Sequence, residues 1–300
     1  MSKELCGVIL VNKHKGVTSH DIVFKIRKLY NTKKVGHTGT LDPMATGVMV
    51  VALDGATRFI ELISDHDKAY RARFLLGKTT DTLDITGKIL SEKKVNVRKE
   101  EVEEILGSFR GEISQLPPMY SAIKKDGVRL YELARQGIEI EREERQVNIS
   151  SLLLTDYNEN KNEYEIEVSC SKGTYIRSLI SDIGEALGTG AVMTSLRRIK
   201  ANGVSVDKCF TLSELCEMQE NDELEKAINS VDSFISYPRI RVTEAQAKRF
   251  SNGGGLDTNR FGGKKETGFY NVYSPEGLFL GIGEIDEEKT ELKVKRVFVR

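Results

Sequence analysis

The most informative part of the sequence is one loop, Gly36-His-Thr-Gly-Thr-Leu-Asp-Pro-Met-Ala-Thr-Gly47, which separates a helical pattern from an apolar run. Its three glycines permit backbone angles that other residues avoid and let a ligand approach closely. Pro43 biases the preceding Asp42 toward an extended conformation. Because Asp42 is the only acid between Asp21 and Asp54, it is a candidate nucleophile or general base in basic surroundings. The alternative is a structural turn residue between a helix and a strand.

Outward from this loop, the periodicity of apolar residues predicts short strands mixed with helices. Residues 70–76 alternate apolar and basic side chains, which is typical of a half-buried strand. Several of the expected strands are joined by hairpin-like turns, so we predict an α+β fold with a mixed sheet rather than a doubly wound α/β fold. Strands are expected at residues 7–12, 48–53, 70–76, 147–157 and 164–170, and helices from Thr18 and at residues 97–109, 128–136, 174–187 and 214–232.

A second unit is expected after Tyr237-Pro238. Beyond this point the composition becomes rich in glycine, as in Gly253-Gly-Gly255, and the remaining apolar residues form short alternating patterns. These features indicate a small β-barrel. The chain is therefore expected to divide into residues 1–237 and 238–300.

The composition limits the possible functions. The 300 residues carry 45 basic and 45 acidic side chains, yet residues 1–40 hold eight Lys or Arg against two acids. Such a local basic patch on a neutral protein suits a polyanion such as nucleic acid, although an ordinary solvated surface is the simpler alternative. The four cysteines are scattered, and no segment resembles a signal peptide or a membrane span. We therefore expect a cytoplasmic protein without a metal or a disulfide framework.

The second informative segment is Cys170-Ser-Lys-Gly-Thr-Tyr-Ile-Arg177, a strand-to-helix passage. An arginine in the first helical turn could pair with a carboxylate and keep it ionised. The alternative is an ordinary helix start with Tyr175 in the core. On their own, Tyr70 is most simply a core residue and Asp84 a turn acid, while His37, exposed by its glycine neighbours, is a weak ligand candidate.

Taken together, these segments resemble the TruB family of tRNA pseudouridine synthases. The likeness extends from about Gly7 to Arg300, and its first loop is its most specific motif. It also includes Tyr70-Arg71, Leu196-Arg-Arg198, Pro117-Pro-Met-Tyr-Ser-Ala-Ile-Lys124 and Tyr131-Glu-Leu-Ala-Arg-Gln-Gly137. The resemblance implies a catalytic domain of pseudouridine synthase type with a mainly antiparallel sheet, an RNA-contacting insertion at about 117–146, and a PUA-like C-terminal domain.

The resemblance further implies isomerisation of the uridine at position 55, in the T-arm of tRNA, to pseudouridine without any cofactor. Asp42 would be the essential carboxylate and Arg177 its ion-pair partner. Tyr70 would stack on the target base, and His37 would take the place of the everted base. Lys13, Asp84, Tyr175 and Leu196 match positions that line the family's pocket, although Asn12 replaces the usual aspartate before Lys13. The expected partner is tRNA, bound at its T-arm and acceptor end by a monomer that needs no obligate protein partner and no membrane.

Two other functions remain open at the level of sequence. The first is an RNA-binding or RNA-chaperone protein without catalysis, which leaves the lone acid of a basic loop unexplained. The second is a glycosidase that uses Asp42 and Asp84 as a carboxylate pair. The absence of tryptophan, the usual sugar platform, counts against the glycosidase.

Overall fold

The computed structural model describes residues 5–63, 67–261, 266–286, 288 and 290–298. The extreme ends of the two expected domains, residues 1–4 and 299–300, lie outside this range. The helices are α1 (Ser19–Leu29), α2 (Ile60–Ile63), α3 (Lys99–Ser108), α4 (Leu130–Arg135), α5 (Ile176–Ala186), α6 (Leu212–Glu220) and α7 (Glu244–Ser251).

The strands, in chain order, are β1 (Gly7–Lys13), β2 (Val35–His37), β3 (Thr46–Leu53), β4 (Lys68–Leu76), β5 (Lys78–Thr80), β6 (Ile89–Glu92), β7 (Gly111–Gln115), β8 (Lys124–Lys125), β9 (Val128–Arg129), β10 (Arg145–Asn158), β11 (Glu163–Cys170), β12 (Ala191–Ala201), β13 (Val204–Ser205), β14 (Ile228–Asn229), β15 (Arg239–Arg241), β16 (Leu256–Asp257), β17 (Gly268–Tyr273), β18 (Phe279–Ile285) and β19 (Glu291–Val297).

A ten-stranded sheet forms the body of the molecule. Eight of its strands follow the order β14-β1-β3-β12-β4-β11-β10-β7, with β2 paired to β3 and β13 paired to β12. These pairs are antiparallel except for β3 and β12, which run parallel over Arg197–Thr46 and Arg198–Gly47. The expectation of an α+β fold with a mixed, mainly antiparallel sheet is therefore confirmed. We call the short β3–β12 pairing the seam of the sheet.

Apolar residues explain how the helices pack on this sheet. In β4, Ala72 and Phe74 point into the core while Arg71 and Arg73 remain exposed, as the alternation predicts. Helix α5 buries Leu179 and Ile183 in the same cluster as Phe74. Helix α1 begins at the expected cap, since Thr18 forms a reciprocal capping box with Asp21.

Some predicted elements differ in the structure. The predicted polar helix at 214–232 is wrong beyond Glu220: α6 ends there, Asp222 adopts a left-handed conformation with φ 55°, and short 3-10 turns follow. The helix predicted at 128–136 is reduced to α4, because the preceding residues form the β8–β9 hairpin. Strands β2 and β3 also take in both ends of the loop predicted at 36–47.

The C-terminal residues form a separate five-stranded sheet in the order β15-β17-β18-β19-β16. Helix α7 contributes Phe250 to the apolar cluster of this sheet. A second cluster joins the sheet to the body, because Phe279 and Ile282 pack with Val50 and Phe59. Within the described parts of the chain, none of the helices has the length and apolar character that crossing a membrane requires.

Candidate active site

The Asp42 loop is held in place by a residue of α1 and by the last residue of β1. Ser19 Oγ donates to the carbonyl of Leu41 at 3.0 Å and accepts from its amide at 2.8 Å. The buried Lys13 ammonium donates to Ala45 O at 2.5 Å and to Pro43 O at 3.4 Å. The Asp42 backbone carbonyl closes a turn by accepting from Ala45 N at 3.0 Å. The turn therefore uses the backbone of Asp42 and leaves its carboxylate available.

The Asp42 carboxylate pairs with Arg177, as the sequence predicted for an arginine at the start of α5. Arg177 Nε lies 3.0 Å from Asp42 Oδ2, and the two side chains are 6% and 33% exposed, respectively. The same guanidinium donates to Thr82 O at 3.0 Å and to Tyr120 O at 2.8 Å. Arg177 thus connects three segments: the Asp42 loop, the turn after β5, and the insertion at about 117–146.

Burial sets the protonation behaviour of this centre. Desolvation raises the pKa of Asp42 above the ordinary aspartate value, and Asp84 adds to the rise, while Arg177 and Lys13 oppose it. Arg177 therefore acts in the expected direction, but burial outweighs it. Burial also lowers the pKa of Lys13 to about 8, against the opposing effect of Asp42. The carboxylate and its cations lie in a medium where charge is costly and their mutual attraction is strong.

Asp84 serves both as a turn acid and as a neighbour of Arg177. Its Oδ1 accepts from Thr82 Oγ1 at 3.0 Å, Thr86 N at 2.9 Å and Thr86 Oγ1 at 2.5 Å, which is the expected turn role. Its Oδ2 lies 3.9 Å from Arg177 NH1. A carboxylate that is buried and engaged in this way is poorly placed to face a substrate, so the structure gives the Asp42–Asp84 glycosidase pair little support.

Tyr70 lies in the buried face of β4, opposite Arg198 in β12 and Val168 in β11. Its ring shares one apolar cluster with Leu41, Met44, Ile176 and Leu196, which come from the Asp42 loop, α5 and β12. Burial raises the pKa of the Tyr70 phenol, so the group stays neutral. Tyr70 and Leu196 thus belong to an apolar wall that includes both neighbours of the Asp42–Pro43 pair.

Arg198 is a site residue whose role the sequence did not reveal. It is almost fully buried, and its Nε donates to Val48 O at 2.7 Å while NH2 donates to Gly39 O at 3.1 Å. The available signal is its spacing: Leu196 and Arg198 are two residues apart and share the buried face of β12, whereas Arg197 is exposed. Arg198 therefore holds the Gly39–Val48 stretch rather than a phosphate.

His37 lies in β2 and is partly buried, so the expectation that its glycine neighbours would expose it is wrong. Its Nδ1 is buried and makes no hydrogen bond within the described residues. Burial lowers its pKa and nearby Arg198 adds to this effect, which favours the neutral imidazole. No group of three or more His, Cys, Asp or Glu side chains in the described ranges is arranged to hold a metal ion.

Tyr175 is the N-cap residue of α5, directly beside Arg177. Its backbone N–H donates to Gln115 Oε1 at 2.8 Å, and its carbonyl accepts from Gln115 Nε2 at 3.1 Å. Burial raises the pKa of its phenol. The structure thus brings Asp42, Arg177, Asp84 and Lys13 together as a charged centre, with Tyr70 and Leu196 in the adjoining apolar wall.

Comparisons with known proteins point to one family. A family model described as "TruB family pseudouridylate synthase (N terminal domain)" matches residues 27–176. One described as "tRNA pseudouridylate synthase B C-terminal domain" matches residues 177–236, and one described as "Pseudouridine synthase II TruB, C-terminal" matches residues 238–298.

Relatives and solved structures agree with these matches. The chain is 44% identical over 292 residues to tRNA pseudouridine synthase B of Clostridium perfringens (strain 13 / Type A), covering 96% of this chain and 97% of that protein. It is 40% identical over 297 residues to the protein of the same name from Escherichia coli (strain K12), covering 95% and 93%. A chain in the crystal structure of a Cbf5-Nop10-Gar1 complex superposes with a TM-score of 0.74 and 26% identity, covering 98% of this chain and 85% of that one.

Proposed function

This chain belongs to the TruB family of pseudouridylate synthases, and from that membership we propose that it converts a uridine of tRNA, position 55 in the T-arm, to pseudouridine. The single observation that carries the assignment to a site is the Asp42–Arg177 ion pair, 3.0 Å long and set against an apolar wall that contains Tyr70. This arrangement sets one carboxylate beside a wall that holds one aromatic ring, the two kinds of group that the reaction needs next to a pyrimidine nucleotide.

The reaction breaks the bond between uracil N1 and ribose C1′ and forms a bond between uracil C5 and the same carbon. The hydrogen on C5 leaves and N1 gains one, so substrate and product have the same atoms. Nothing is oxidised or reduced. The protein must therefore supply placement, a charged group and a proton path, which side chains can provide.

The target base has to leave its stack to reach a buried carboxylate. Everting a base costs a few kcal/mol, which contacts with an aromatic ring and with the phosphate backbone offset. We assign the ring contact to Tyr70 and the essential carboxylate to Asp42. Arg177 orients that carboxylate and stabilises its ionised form. His37 takes the place of the everted base.

The remaining pocket residues serve this centre. Lys13 holds the Asp42 loop through the Pro43 and Ala45 carbonyls, and Asp84 adds a second carboxylate, 3.9 Å from Arg177 NH1. Leu196 adds apolar surface beside Tyr70. We assign Tyr175 to the pocket because it adjoins Arg177 at the start of α5.

We also propose that two regions of the chain have different functions. Residues 1–237 carry the catalytic site, with an RNA-contacting insertion at about 117–146. Residues 238–300 form a PUA-like unit for the acceptor end of the tRNA. The protein then acts as a monomer in the cytoplasm, without an obligate protein partner, because both RNA-contacting units lie in one chain.

The test uses a tRNA transcript carrying tritium at C5 of uridine, because isomerisation releases that hydrogen. The wild-type protein should release tritium from one position, and replacing that uridine by cytidine should stop the release. Asp42→Asn should bind the transcript with nearly unchanged affinity and release no tritium. Release at a normal rate by Asp42→Asn would overturn the assignment of Asp42. Binding without release by the wild-type protein would favour the non-catalytic RNA-binding protein.

A further inference from the structure

Helix α5 begins without a side-chain cap of its own, although it carries Arg177 in its first turn. The backbone of its N-cap residue, Tyr175, is instead held by Gln115 from β7. The amide oxygen accepts from Tyr175 N at 2.8 Å, and the amide nitrogen donates to Tyr175 O at 3.1 Å. The side chain of Gln115 thus pairs with the backbone as a neighbouring strand would.

Gln115 is itself firmly placed. It is the last residue of β7, it pairs with Arg145 of β10, and it is only 2% exposed. A buried amide that satisfies two backbone groups is costly to replace, since removing it leaves a buried donor and a buried acceptor with one partner fewer. The position of Tyr175 is therefore fixed relative to the edge of the large sheet.

The next residues of the chain continue this attachment. Leu116 O accepts from Ser178 Oγ at 2.9 Å, and Tyr120 O accepts from Arg177 NH2 at 2.8 Å. Contacts from residues 115–120 thus converge on residues 175–178, where the helix starts. We call residues 115–120 the α5 clamp. The clamp is also the stem of the insertion, so the attachment of the insertion and the position of Arg177 depend on the same bonds.

We propose that Gln115 is a positioning residue for the active centre: it fixes the Tyr175 backbone and thereby sets Arg177 against Asp42. This inference rests on the proposed function. The amide oxygen and the amide nitrogen of Gln115 both bond to the Tyr175 backbone, so Gln115 acts on the centre through Tyr175 and Arg177. The Arg177–Asp42 pair is 3.0 Å long, and a displacement of the helix start by a fraction of that length weakens it.

The chemistry of the side chain explains why a glutamine suits the position. A methionine has a similar length but neither donates nor accepts strongly, so Gln115→Met removes both bonds. A glutamate keeps an acceptor for Tyr175 N–H but loses the donor to Tyr175 O, so Gln115→Glu removes one bond. The two variants therefore form a graded pair.

The test measures the single-turnover rate of tritium release, the Kd for tRNA and the pH dependence of the rate. For Gln115→Met we expect a rate about tenfold to a hundredfold lower, with the Kd within about twofold of wild type, because small misplacement of a catalytic group costs rate more than binding. The acid limb of the rate should also move to higher pH, since Asp42 loses part of the stabilisation from Arg177. Gln115→Glu should lie between this variant and wild type if the glutamate keeps its one bond.

The matched control is Gln219→Met. Gln219 is an exposed glutamine in α6 whose Nε2 donates to Leu29 O at 3.3 Å, so it loses a similar bond far from the site. Its rate and acid limb should equal those of wild type.

A wild-type rate in folded Gln115→Met would overturn the inference. So would a loss of rate that follows thermal stability alone while the acid limb stays in place. If Gln115→Met does not fold, Gln115→Glu decides by the same two readouts. A wild-type protein that releases no tritium would refute the proposed function itself, which separates the two failures.

Discussion

At the scale of single residues, the centre depends on how the N–H groups of one guanidinium are distributed. Arg177 directs Nε to Asp42, NH1 to Thr82 O and NH2 to Tyr120 O. Because the guanidinium is planar and its donors have fixed directions, satisfying three acceptors at once also fixes the carboxylate. The buried Arg177 guanidinium therefore fixes the position of the Asp42 carboxylate in addition to balancing its charge.

Arg177→Lys should therefore reduce the rate although it conserves the charge. A lysine ammonium is a point charge and cannot span Asp42, Thr82 O and Tyr120 O together. We expect the single-turnover rate to fall about a hundredfold or more, with a small change in the Kd for tRNA. Arg98→Lys is the control, since Arg98 is exposed and its ion-pair partner within the described residues is the nearby Glu101. Wild-type kinetics in Arg177→Lys would remove the argument from geometry.

The acid side of the pH profile should report Asp42. An ordinary aspartate has a pKa of about 3.9. The pKa of Asp42 is raised above the ordinary value, so Asp42 loses its charge at a higher pH than an ordinary aspartate does. The single-turnover rate should follow that ionised fraction and decline as pH falls through the raised pKa. Measuring the Kd for tRNA at each pH separates this decline from weaker binding. An acid limb at or below the ordinary aspartate value would contradict the prediction.

The residues that the sequence revealed differ in kind from those that it missed. Asp42 was recognisable because it is the sole acid of a basic, glycine-rich loop, and Arg177 because it follows a strand-to-helix signal. Lys13 and Leu196 came only from the family resemblance. The roles of Gln115 and Arg198 escaped notice because their partners are backbone groups from distant parts of the chain, which no local pattern displays.

At the scale of elements, a regular alternation of apolar and polar residues identified strands reliably. Strands without that alternation were missed. Strand β4 matched its pattern closely, whereas β12 gave no clear signal despite its central place in the sheet. Its register shifts between Met193 and Ser195 and again between Arg198 and Lys200. Each bulge reverses the inside–outside order, so the period of two that identifies a strand is lost.

The seam imposes a strict requirement on one glycine, Gly47. Gly47 has φ +104°, and a Cβ there would lie 2.1 Å from Arg198 O. Gly203 has φ +75°, and a Cβ there would meet nothing within 4 Å. An alanine at either position would be strained by the positive φ. Only at position 47 would its Cβ also clash with the backbone.

Gly47→Ala should therefore be more harmful than Gly203→Ala. We expect Gly203→Ala to cost about 1 kcal/mol of unfolding free energy and Gly47→Ala about 1–3 kcal/mol more. The clash should also slow tritium release, because it moves β3 away from Arg198 and disturbs the Asp42 loop. Denaturant unfolding and single-turnover rates measure both effects. Equal losses in the two variants would show that the close approach at the seam is unimportant.

At the scale of the whole molecule, the two sheets share an apolar cluster. The Phe59 ring lies 5.7 Å from that of Phe279 and 5.8 Å from that of Phe298. Arg296 pairs with Glu61 at 2.8 Å beside this cluster. The composition change at Pro238 marked where the second sheet begins, but it carried no information on how much apolar surface the two sheets would bury together.

Phe59→Ala should thus weaken the body and the C-terminal sheet together. Phe59 is fully buried, and truncating such a ring costs about 3–5 kcal/mol. We expect one cooperative unfolding transition in wild type, shifted to lower denaturant in the variant, with far-UV circular dichroism and tyrosine fluorescence coinciding. Phe24→Ala is the control, since Phe24 is 49% exposed. Two separate transitions in the wild-type protein would contradict the shared cluster.

The seam between β3 and β12 also bears on when a newly synthesised chain can become catalytically active. Asp42 lies just before β3, and Arg177 lies in α5, just before β12, and these two strands pair directly at the seam. During synthesis the carboxylate leaves the ribosome long before its arginine. On the proposed role of Asp42, we expect a nascent chain that still lacks Arg177 to be inactive toward RNA, because its carboxylate has no cation to hold it in place.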